Sequence, residues 1–256
     1  MLIFSLQLQA KTLQSRLIQG GFHIGKVQPH EDIIYKGQSV RVDETGRFII
    51  GFGRDASLKQ SYIVRSGLGQ QRQVDLKLEK RDYKVQRIKG VARKYVTPPE
   101  RVLKRIRNDN RQVKEARKYD TEYGFFFKGF LRPAEGPVSG VYGSQRYFNG
   151  KPRRPHFGLD IAGPVGAGIL APAAGVVRLA ESDMYYSGGT LIIDHGAGIS
   201  SSFLHLSKLN VKAGQKVKRG EVVAEMGATG RVTGPHLDWR INWFDVRMDP
   251  ALMLIE

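Results

Sequence analysis

The chain has 256 residues, 41% of them hydrophobic, and its 41 Lys and Arg against 24 Asp and Glu give a net charge of +17. The length allows two modest domains, and the absence of cysteine excludes disulfides and thiolate metal sites. The positive charge implies attraction to polyanions, but it does not choose among nucleic acid, anionic lipid and an anionic cell-wall polymer.

The first ten residues, MLIFSLQLQA, are apolar and end on a small residue. They resemble the hydrophobic part of a secretory signal but lack the basic residues that normally precede it. Residues 1–14 are therefore interpreted as a remnant of a signal or anchor segment, with a first β-strand or a misplaced start as the alternatives. No apolar run reaches the roughly 18 residues of a membrane span, so no transmembrane span is expected.

Residues 15–82 contain short strand patterns separated by turns, which predicts a small β-sandwich or barrel. The stretch GQSVRVDETGRFIIGFGRD alternates apolar and polar residues on both sides of an Asp-Glu-Thr-Gly turn, and this pattern predicts a β-hairpin. The stretches SYIVRSG and QRQVDLKLEKRDYKVQRI continue the alternation.

Residues 83–122 are predicted to form a basic linker that contains a helix. The window 81–118 holds fourteen Lys or Arg against four Asp or Glu, so its net charge of +10 is more than half of the chain's +17. The segment Thr97-Pro98-Pro99-Glu100 has the prolines and the acidic first turn of a helix start, and the helix after it offers few apolar side chains for burial. One interpretation is a solvated linker helix. The other is a patch that concentrates the protein on an anionic envelope polymer.

Residues 123–256 are rich in glycine and contain short apolar runs such as GTLIIDHG, interrupted by frequent turn signals. This pattern predicts an all-β domain of many short strands. The fold class is therefore expected to be mainly β, with a C-terminal all-β domain preceded by a small β-sandwich-like domain and a basic linker helix.

Histidines and carboxylates that could hold a metal ion concentrate in this last segment. His156 and Asp160 are four residues apart, and His205 follows on a later strand pattern. In an extended chain, His236 and Asp238 project from one face while the apolar residues between and after them face the other way. Histidine and carboxylate side chains are natural zinc ligands, so the set indicates a candidate zinc site.

Two stretches, RRPHFGLDIAGPVGAGILAPAAGVV and GGTLIIDHGAGISSSFLHLSKLNVKAGQKVKRGEVVAEMGATGRVTGPHLDWRIN, resemble the catalytic domain of the lysostaphin-like (LytM-type) zinc endopeptidases, which cut peptidoglycan cross-bridges. The resemblance runs from roughly Phe130 to the C-terminus and lies in the spacing and order of the motifs and in the Gly and Pro residues around them. The segment VYGSQRYFNGKPRRPH also resembles the family's entry segment, which carries an arginine, here Arg146. The resemblance makes residues 123–256 a zinc peptidase domain, and the upstream segments resemble accessory regions of Gram-negative members more loosely.

The resemblance implies one zinc ion held by His156, Asp160 and a third ligand, with His205 and His236 as catalytic residues. The last family motif is usually His-x-His, and its second histidine is the third zinc ligand. In this chain Asp238 occupies that place. Because carboxylate oxygen also binds zinc, Asp238 is expected to serve as the ligand, although a second carboxylate should weaken the Lewis acidity of the ion.

The function implied by the resemblance is a zinc-dependent endopeptidase that cleaves peptidoglycan stem-peptide cross-links in the periplasm or cell envelope. Zinc would supply the Lewis acid and the nucleophilic water. Of His205 and His236, one would remove a proton from the water, and the other would stabilise the oxyanion and protonate the leaving amine. Which histidine has which role stays open.

Two alternative functions belong to other classes. The first is an inactive family member that binds the cell wall or activates a separate amidase, and Asp238 is the feature that favours it. The second is a polyanion-binding module, which the basic segment favours. That segment lacks the interleaved aromatic residues of a single-strand nucleic-acid platform, so no nucleic-acid partner is expected.

Five further residues receive weaker or structural assignments. His195 follows a strand pattern and abuts glycines, which indicates a turn histidine with satisfied hydrogen bonds. His23 and His30 have no partner at ligand spacing and receive no role. Arg146 either orients a substrate carboxylate or forms a structural ion pair. Phe203 stands where many members of the family carry a tyrosine, so a hydroxyl is lost there.

Overall fold

The structure is a computed structural model that describes residues 12–89 and 98–255. Its elements are mostly β-strands, which confirms the predicted fold class. The first eleven residues and Thr97 lie outside the described residues, and so do the predictions made for them. Among the described residues, no helix has the length and apolar character needed to cross a membrane.

Six strands precede the predicted linker and form two small sheets. One sheet pairs β1 with β4, and the other has the order β3-β2-β5-β6. Their bounds are β1 Phe22–Lys26, β2 Asp32–Tyr35, β3 Gln38–Val40, β4 Arg47–Gly51, β5 Lys59–Arg65 and β6 Gln71–Lys77.

The hairpin predicted around the Asp-Glu-Thr-Gly turn is wrong, although the turn itself is present. The Asp43 carboxylate accepts hydrogen bonds from the N–H groups of Thr45 and Arg47, each at 2.9 Å, which closes the turn. The strands on either side of it then pair elsewhere: β3 with β2, and β4 with β1. Local alternation predicts that strands exist, but it does not specify their partners, and the apolar residues Phe48, Ile49 and Ile50 of β4 are all buried.

The described residues of the predicted linker, 83–89 and 98–122, pack against the rest of the chain. The linker contributes strand β7, Val85–Ile88, which runs parallel to β9, Gln145–Phe148. Its single described helix, α1, spans Leu103–Ala116, and a short 3-10 turn over Glu100–Val102 precedes it. The helix packs through Val113 and Ala116 against a small apolar cluster formed by Leu179, Met184 and Ile192. The domain boundaries predicted at residues 82 and 122 stay predictions.

The C-terminal part is built around one sheet with the strand order β17-β13-β14-β15-β19-β11-β8, and β20 pairs with β19. A smaller sheet has the order β12-β18-β16, and β10 pairs with β9. The remaining bounds are β8 Val138–Gly140, β10 Lys151–Pro152, β11 Leu159–Ala162, β12 Gly168–Leu170, β13 Gly175–Met184, β14 Gly188–Gly196, β15 Ile199–Leu206, β16 Lys208–Leu209, β17 Lys216–Val217, β18 Val222–Glu225, β19 His236–Trp243 and β20 Val246–Met248.

Strand register sorts the side chains of the main sheet into an apolar and a polar face. Leu191, Phe203 and Trp239 are register neighbours across three strands, and all three are fully buried in the core. The next row, which faces the other way, contains Ile192, Ser202 and Arg240. Helix α1 covers this second face at Ile192. The face that carries Arg240 and Asp238 is therefore bounded on one side by the helix.

Asp249, just after β20, makes two contacts that hold the C-terminal segment in place. Its carboxylate accepts a hydrogen bond from the N–H of Ala251 at 2.9 Å and caps the 3-10 turn over Pro250–Met253. The same side chain is buried and lies 2.8 Å from the guanidinium of Arg81. This ion pair joins the end of the chain to the segment that follows β6.

Candidate metal centre

The three predicted ligands converge at the polar face of the main sheet. Asp160 on β11 and Asp238 on β19 are direct register partners, so their carboxylates project side by side. His156 lies just before β11. One ligand atom from each of the three side chains lies within 4.8 Å of the other two, and all three residues are buried.

The ligand atoms of His156 and Asp160 lack the hydrogen bonds that buried polar atoms normally have. Nε2 of His156 is 2.9 Å from Oδ1 of Asp160, yet neither atom makes a hydrogen bond of acceptable geometry within the described residues. Buried polar atoms without partners are costly, and native structures seldom contain them. One nitrogen and one oxygen ligand close together, next to a second carboxylate, fit a bound zinc ion.

Each of the two carboxylates is also held by an arginine. Nη2 of Arg146 is 2.7 Å from Oδ2 of Asp160, while Arg240 binds both oxygens of Asp238. Burial and the neighbouring Asp238 raise the pKa of Asp160, but its contacts with His156 and Arg146 outweigh them, so that pKa lies below its usual value. Burial likewise raises the pKa of Asp238, but the charge and hydrogen bonds of Arg240, together with the nearby His156 and His205, outweigh it, so that this pKa also lies below its usual value. Both carboxylates are therefore ionised, which is the form that binds a metal.

Two glycines provide the space that the carboxylates occupy. A Cβ atom on Gly158 would overlap Oδ1 of Asp238, and one on Gly140 would overlap Oδ2 of Asp160. Neither glycine has a positive φ, so the missing side chain matters here more than the backbone freedom. Close packing at these positions fixes where the two carboxylates lie.

The two predicted catalytic histidines lie together at the edge of this cluster. The rings of His205 and His236 have their centroids 4.9 Å apart. Nδ1 of His205 is 2.9 Å from the carbonyl oxygen of Thr229, and Nδ1 of His236 is 2.9 Å from that of Gly234. A carbonyl oxygen only accepts hydrogen bonds, so each Nδ1 carries the proton and each Nε2 stays available. Nε2 of His236 is 4.0 Å from Oδ1 of Asp160.

The position of His205 depends on an irregular strand. Simple alternation from the core residue Phe203 would place Leu204 on the polar face and His205 in the core. Instead, His205 has a φ of +70°, and the register between β14 and β15 shifts between Leu191 and Gly189. This bulge directs the His205 ring toward His236. Left-handed backbone at a non-glycine residue often marks a functional site.

The other sequence assignments have mixed outcomes. His195 is satisfied, as expected, but it lies within β14 and is fully buried, with Nδ1 2.7 Å from the carbonyl oxygen of Ala174 and Nε2 2.8 Å from Oγ of Ser201. Of the two alternatives for Arg146, the structure contains the ion pair, made with Asp160. Phe203 faces the core, so a hydroxyl there would point away from the candidate ligands.

The sequence analysis did not identify Arg240 as a partner of Asp238, although the strand pattern places the two residues on one face. The alternation that placed His236 and Asp238 on one face also places Arg240 there, two residues further along the strand. His23 and His30 lie away from the cluster, with His23 packed against Phe48 and His30 exposed in a turn.

Comparison with known proteins connects this geometry to a family. A profile of peptidase family M23 matches residues 154–250, which include all the candidate ligands and both histidines. The crystal structure of a protein assigned to peptidase M23 from Pseudomonas aeruginosa has 31% sequence identity and a TM-score of 0.74, and the match covers 93% of this chain and 94% of that one. The family resemblance inferred from the sequence is confirmed.

Curated relatives match a shorter part of the chain. The peptidoglycan DD-endopeptidase ShyB of Vibrio cholerae is 44% identical over 87 residues, which make up 34% of this chain and 20% of that protein. An uncharacterized metalloprotease of Haemophilus influenzae is 36% identical over 138 residues, or 51% of this chain and 28% of that protein. The chain thus spans less than a third of the length of these relatives.

Proposed function

Because the chain belongs to peptidase family M23, we propose that it is a zinc-dependent endopeptidase that cleaves the stem-peptide cross-links of peptidoglycan. The observation that carries the proposal is the set of buried, unpartnered ligand atoms of His156 and Asp160, which converge with Asp238 beside two histidines. The substrate class is suggested by the relative named as a peptidoglycan DD-endopeptidase. Since that substrate lies outside the cytoplasm, we also propose a periplasmic or cell-envelope location.

The residues that would hold the ion are His156, Asp160 and Asp238. When bound, zinc supplies Lewis acidity toward the scissile carbonyl and lowers the pKa of a water molecule. Arg146 and Arg240 fix the orientation of the two carboxylates, in the way that outer partners of metal ligands commonly do. They also balance the two negative charges of the carboxylates.

His205 and His236 would carry the proton transfers. Burial lowers the pKa of His205 to about 4, so this imidazole is neutral at neutral pH and can accept a proton. Each ring is oriented by its Nδ1–H bond to a backbone carbonyl and offers Nε2 to the substrate. One imidazole would remove the proton from the attacking water through its unprotonated Nε2. The other would act in the form that carries a proton on Nε2 as well as on Nδ1, so that it stabilises the oxyanion and delivers the Nε2 proton to the leaving amine.

A specific observation favours the second candidate function, an inactive member that binds the wall or activates a separate amidase. Arg240 already occupies both oxygens of Asp238, the position where the family usually has histidine. A guanidinium in this place competes with a metal ion for the carboxylate. If Arg240 stays bound to Asp238, the site keeps its geometry but does not bind a metal ion.

Digestion of purified peptidoglycan sacculi tests the two candidates against each other. The protein is incubated with sacculi with and without a zinc chelator, alongside an Asp160→Asn variant, and cross-linked and uncross-linked fragments are quantified. Loss of cross-links that both the chelator and the variant prevent supports the endopeptidase. Intact cross-links, with the protein still bound to the sacculi, overturn it and favour the wall-binding or activator function.

A further inference from the structure

An arginine-lined cleft of about 370 Å³ opens next to the candidate metal centre. Three of its arginines come from different parts of the chain: Arg117 from the end of helix α1, Arg154 from the segment before β11, and Arg247 from β20. Nη2 of Arg117 donates to Oγ of Ser202 at 2.9 Å, and Ser202 is the register partner of Arg240. The cleft therefore continues the polar sheet face on which Asp238 lies.

The register of β20 places Arg247 on this face as well. Arg247 pairs with Asn242, which lies two residues beyond Arg240 on β19, so the arginines at 240 and 247 project to the same side. Two residues along a strand span about 7 Å, so Arg240 lies between Asp238 and this part of the cleft. When the scissile bond of a substrate lies at the metal centre, the groups of the substrate next to that bond would extend into the cleft.

The positive charge in the cleft is only partly compensated. Four arginines and two aspartates line it, and one of the aspartates, Asp55, is paired with Arg54 at 2.5 Å. Within the described part of the chain, Arg117, Arg154 and Arg247 form no ion pair, and Nε of Arg117 is buried without a hydrogen-bond partner. A buried N–H donor without an acceptor is costly.

Burial and the repulsion of neighbouring arginines lower the pKa values of Arg117 and Arg247. Burial, followed by the nearby Arg240 and Arg247, lowers the pKa of Arg117 to about 9. Burial and the charges of Arg240 and Arg154 lower the pKa of Arg247 to about 10. An oxyanion in the cleft would relieve the repulsion and could accept the hydrogen bond that Nε of Arg117 lacks.

The geometry of the arginines suits an oxyanion with several acceptor oxygens. Guanidinium groups bind carboxylate and phosphate through two parallel N–H donors. The guanidinium of Arg247 lies 4.5 Å from the ring centre of Phe157, and this stacking holds its planar donor group in place. Phe157 is the residue after His156, so the same short segment positions a candidate metal ligand and the platform for Arg247.

We propose that Arg117, Arg154 and Arg247 form an anion subsite that binds a carboxylate of the peptide substrate beside the metal centre. This proposal rests on the proposed function, since the endopeptidase supplies the peptide. The same chemistry would also accept a phosphate group of an anionic polymer. The position of the cleft, on the sheet face that carries Asp238, favours the substrate carboxylate.

The kinetic test uses the zinc-loaded full chain and two cross-linked peptide dimers that differ only in having free or amidated carboxylates. Amidation is expected to lower kcat/KM of the wild type at least about tenfold, the effect of losing one charge-assisted hydrogen bond. Arg247→Gln should show a similar loss of kcat/KM with the unamidated dimer, and amidation should lower kcat/KM of this variant little further. Arg154→Gln, at an exposed position, should behave in the same way. Arg219→Gln removes the same charge from an exposed turn and should match the wild type. An equal effect of amidation on wild type and Arg247→Gln would overturn the subsite.

A binding test separates failure of this subsite from failure of the proposed function. If the wild type cleaves neither dimer, the endopeptidase proposal fails, and titration calorimetry still decides on the subsite. The probes are an uncross-linked stem peptide with free carboxylates, its amidated counterpart and inorganic phosphate. Binding of the free peptide that Arg247→Gln weakens at least about tenfold supports the subsite. Binding of phosphate alone overturns the carboxylate assignment, and binding that does not depend on Arg247 overturns the site.

Discussion

Arg240 donates two hydrogen bonds to the carboxylate of Asp238: its Nε lies 2.9 Å from Oδ1 and its Nη2 lies 2.5 Å from Oδ2. The Asp238 side chain is only 3% exposed, and that of Arg240 is 24% exposed. Asp238 occupies the position where the family usually has a neutral histidine, so the change to aspartate adds a buried negative charge. Arg240 supplies the compensating charge from two residues away on the same strand face.

Arg240→Gln should make the folded protein depend more strongly on metal. Removing one partner of a buried ion pair costs about 3 kcal/mol or more, and in a chain of this size that lowers the Tm of the metal-free protein by roughly 6–12 °C. Zinc should then raise the Tm of the variant by more than it raises that of the wild type, because the ion replaces the lost positive charge and no longer competes with the guanidinium. Thermal unfolding with chelator and with zinc measures both shifts.

The matched control for this prediction is Arg65→Gln. Arg65 pairs with Asp32 on the surface, where the two side chains are 43% and 63% exposed. Exposed pairs contribute about 1 kcal/mol at most, so this variant should keep the wild-type response to zinc. Equal zinc-induced shifts in Arg240→Gln and the wild type would show that Arg240 does not influence the ion.

Gly158→Ala should disturb the metal centre without a charge change. The added methyl group would overlap Oδ1 of Asp238 and lie 2.9 Å from the carbonyl oxygen of Trp239. Asp238 must then move, and zinc affinity should fall at least about tenfold, or about 1.4 kcal/mol, as measured by competition with a chromogenic chelator. The control is Gly168→Ala, whose Cβ would meet its nearest atom, on Val222, at an ordinary 3.6 Å. Unchanged affinity in both variants would mean that Asp238 is not a ligand.

His205→Ala and His236→Ala should separate catalysis from metal binding. Neither ring belongs to the three-residue ligand cluster, so each variant should retain about one zinc ion per chain by elemental analysis. Turnover of a cross-linked peptide should fall by about 100-fold or more, because each imidazole is proposed to move a proton. A variant that loses its zinc would instead identify that histidine as a ligand.

The fold class could be predicted from the sequence, because strand and turn patterns are local. The candidate ligand set was implied by the family resemblance; alternation alone put His236 and Asp238 on one face, and only the pairing of β11 with β19 brings Asp160 beside Asp238. The partners of β4 and the contact of Arg117 with Ser202 could not be predicted in this way. They join segments far apart in the chain, and only the assembled sheet brings them together. The cleft beside the metal centre depends on such long-range contacts.

The free energy of unfolding should fall in acid because of His195, a buried histidine that lies outside the candidate site. Burial lowers the pKa of His195 from 6.5 to about 4, and its two hydrogen bonds fit the neutral ring. Because the unfolded chain binds the proton more readily, the stabilisation is present above pH 6.5 and is lost as pH falls toward 4. The loss amounts to roughly 3 kcal/mol over this window.

His195→Gln should therefore flatten the dependence of unfolding free energy on pH between about 6.5 and 4, while lowering stability at neutral pH. Burial also lowers the pKa of His205 to about 4, so that residue contributes a second loss in the same window, and the variant keeps that part of the slope. Carboxylates with lowered pKa values lose their contribution to stability at lower pH than these histidines do; they are Asp43, Asp160 and Asp238. Denaturant unfolding at half-unit pH steps measures the slope, and an unchanged slope in His195→Gln would show that His195 titrates alike in the folded and unfolded chain.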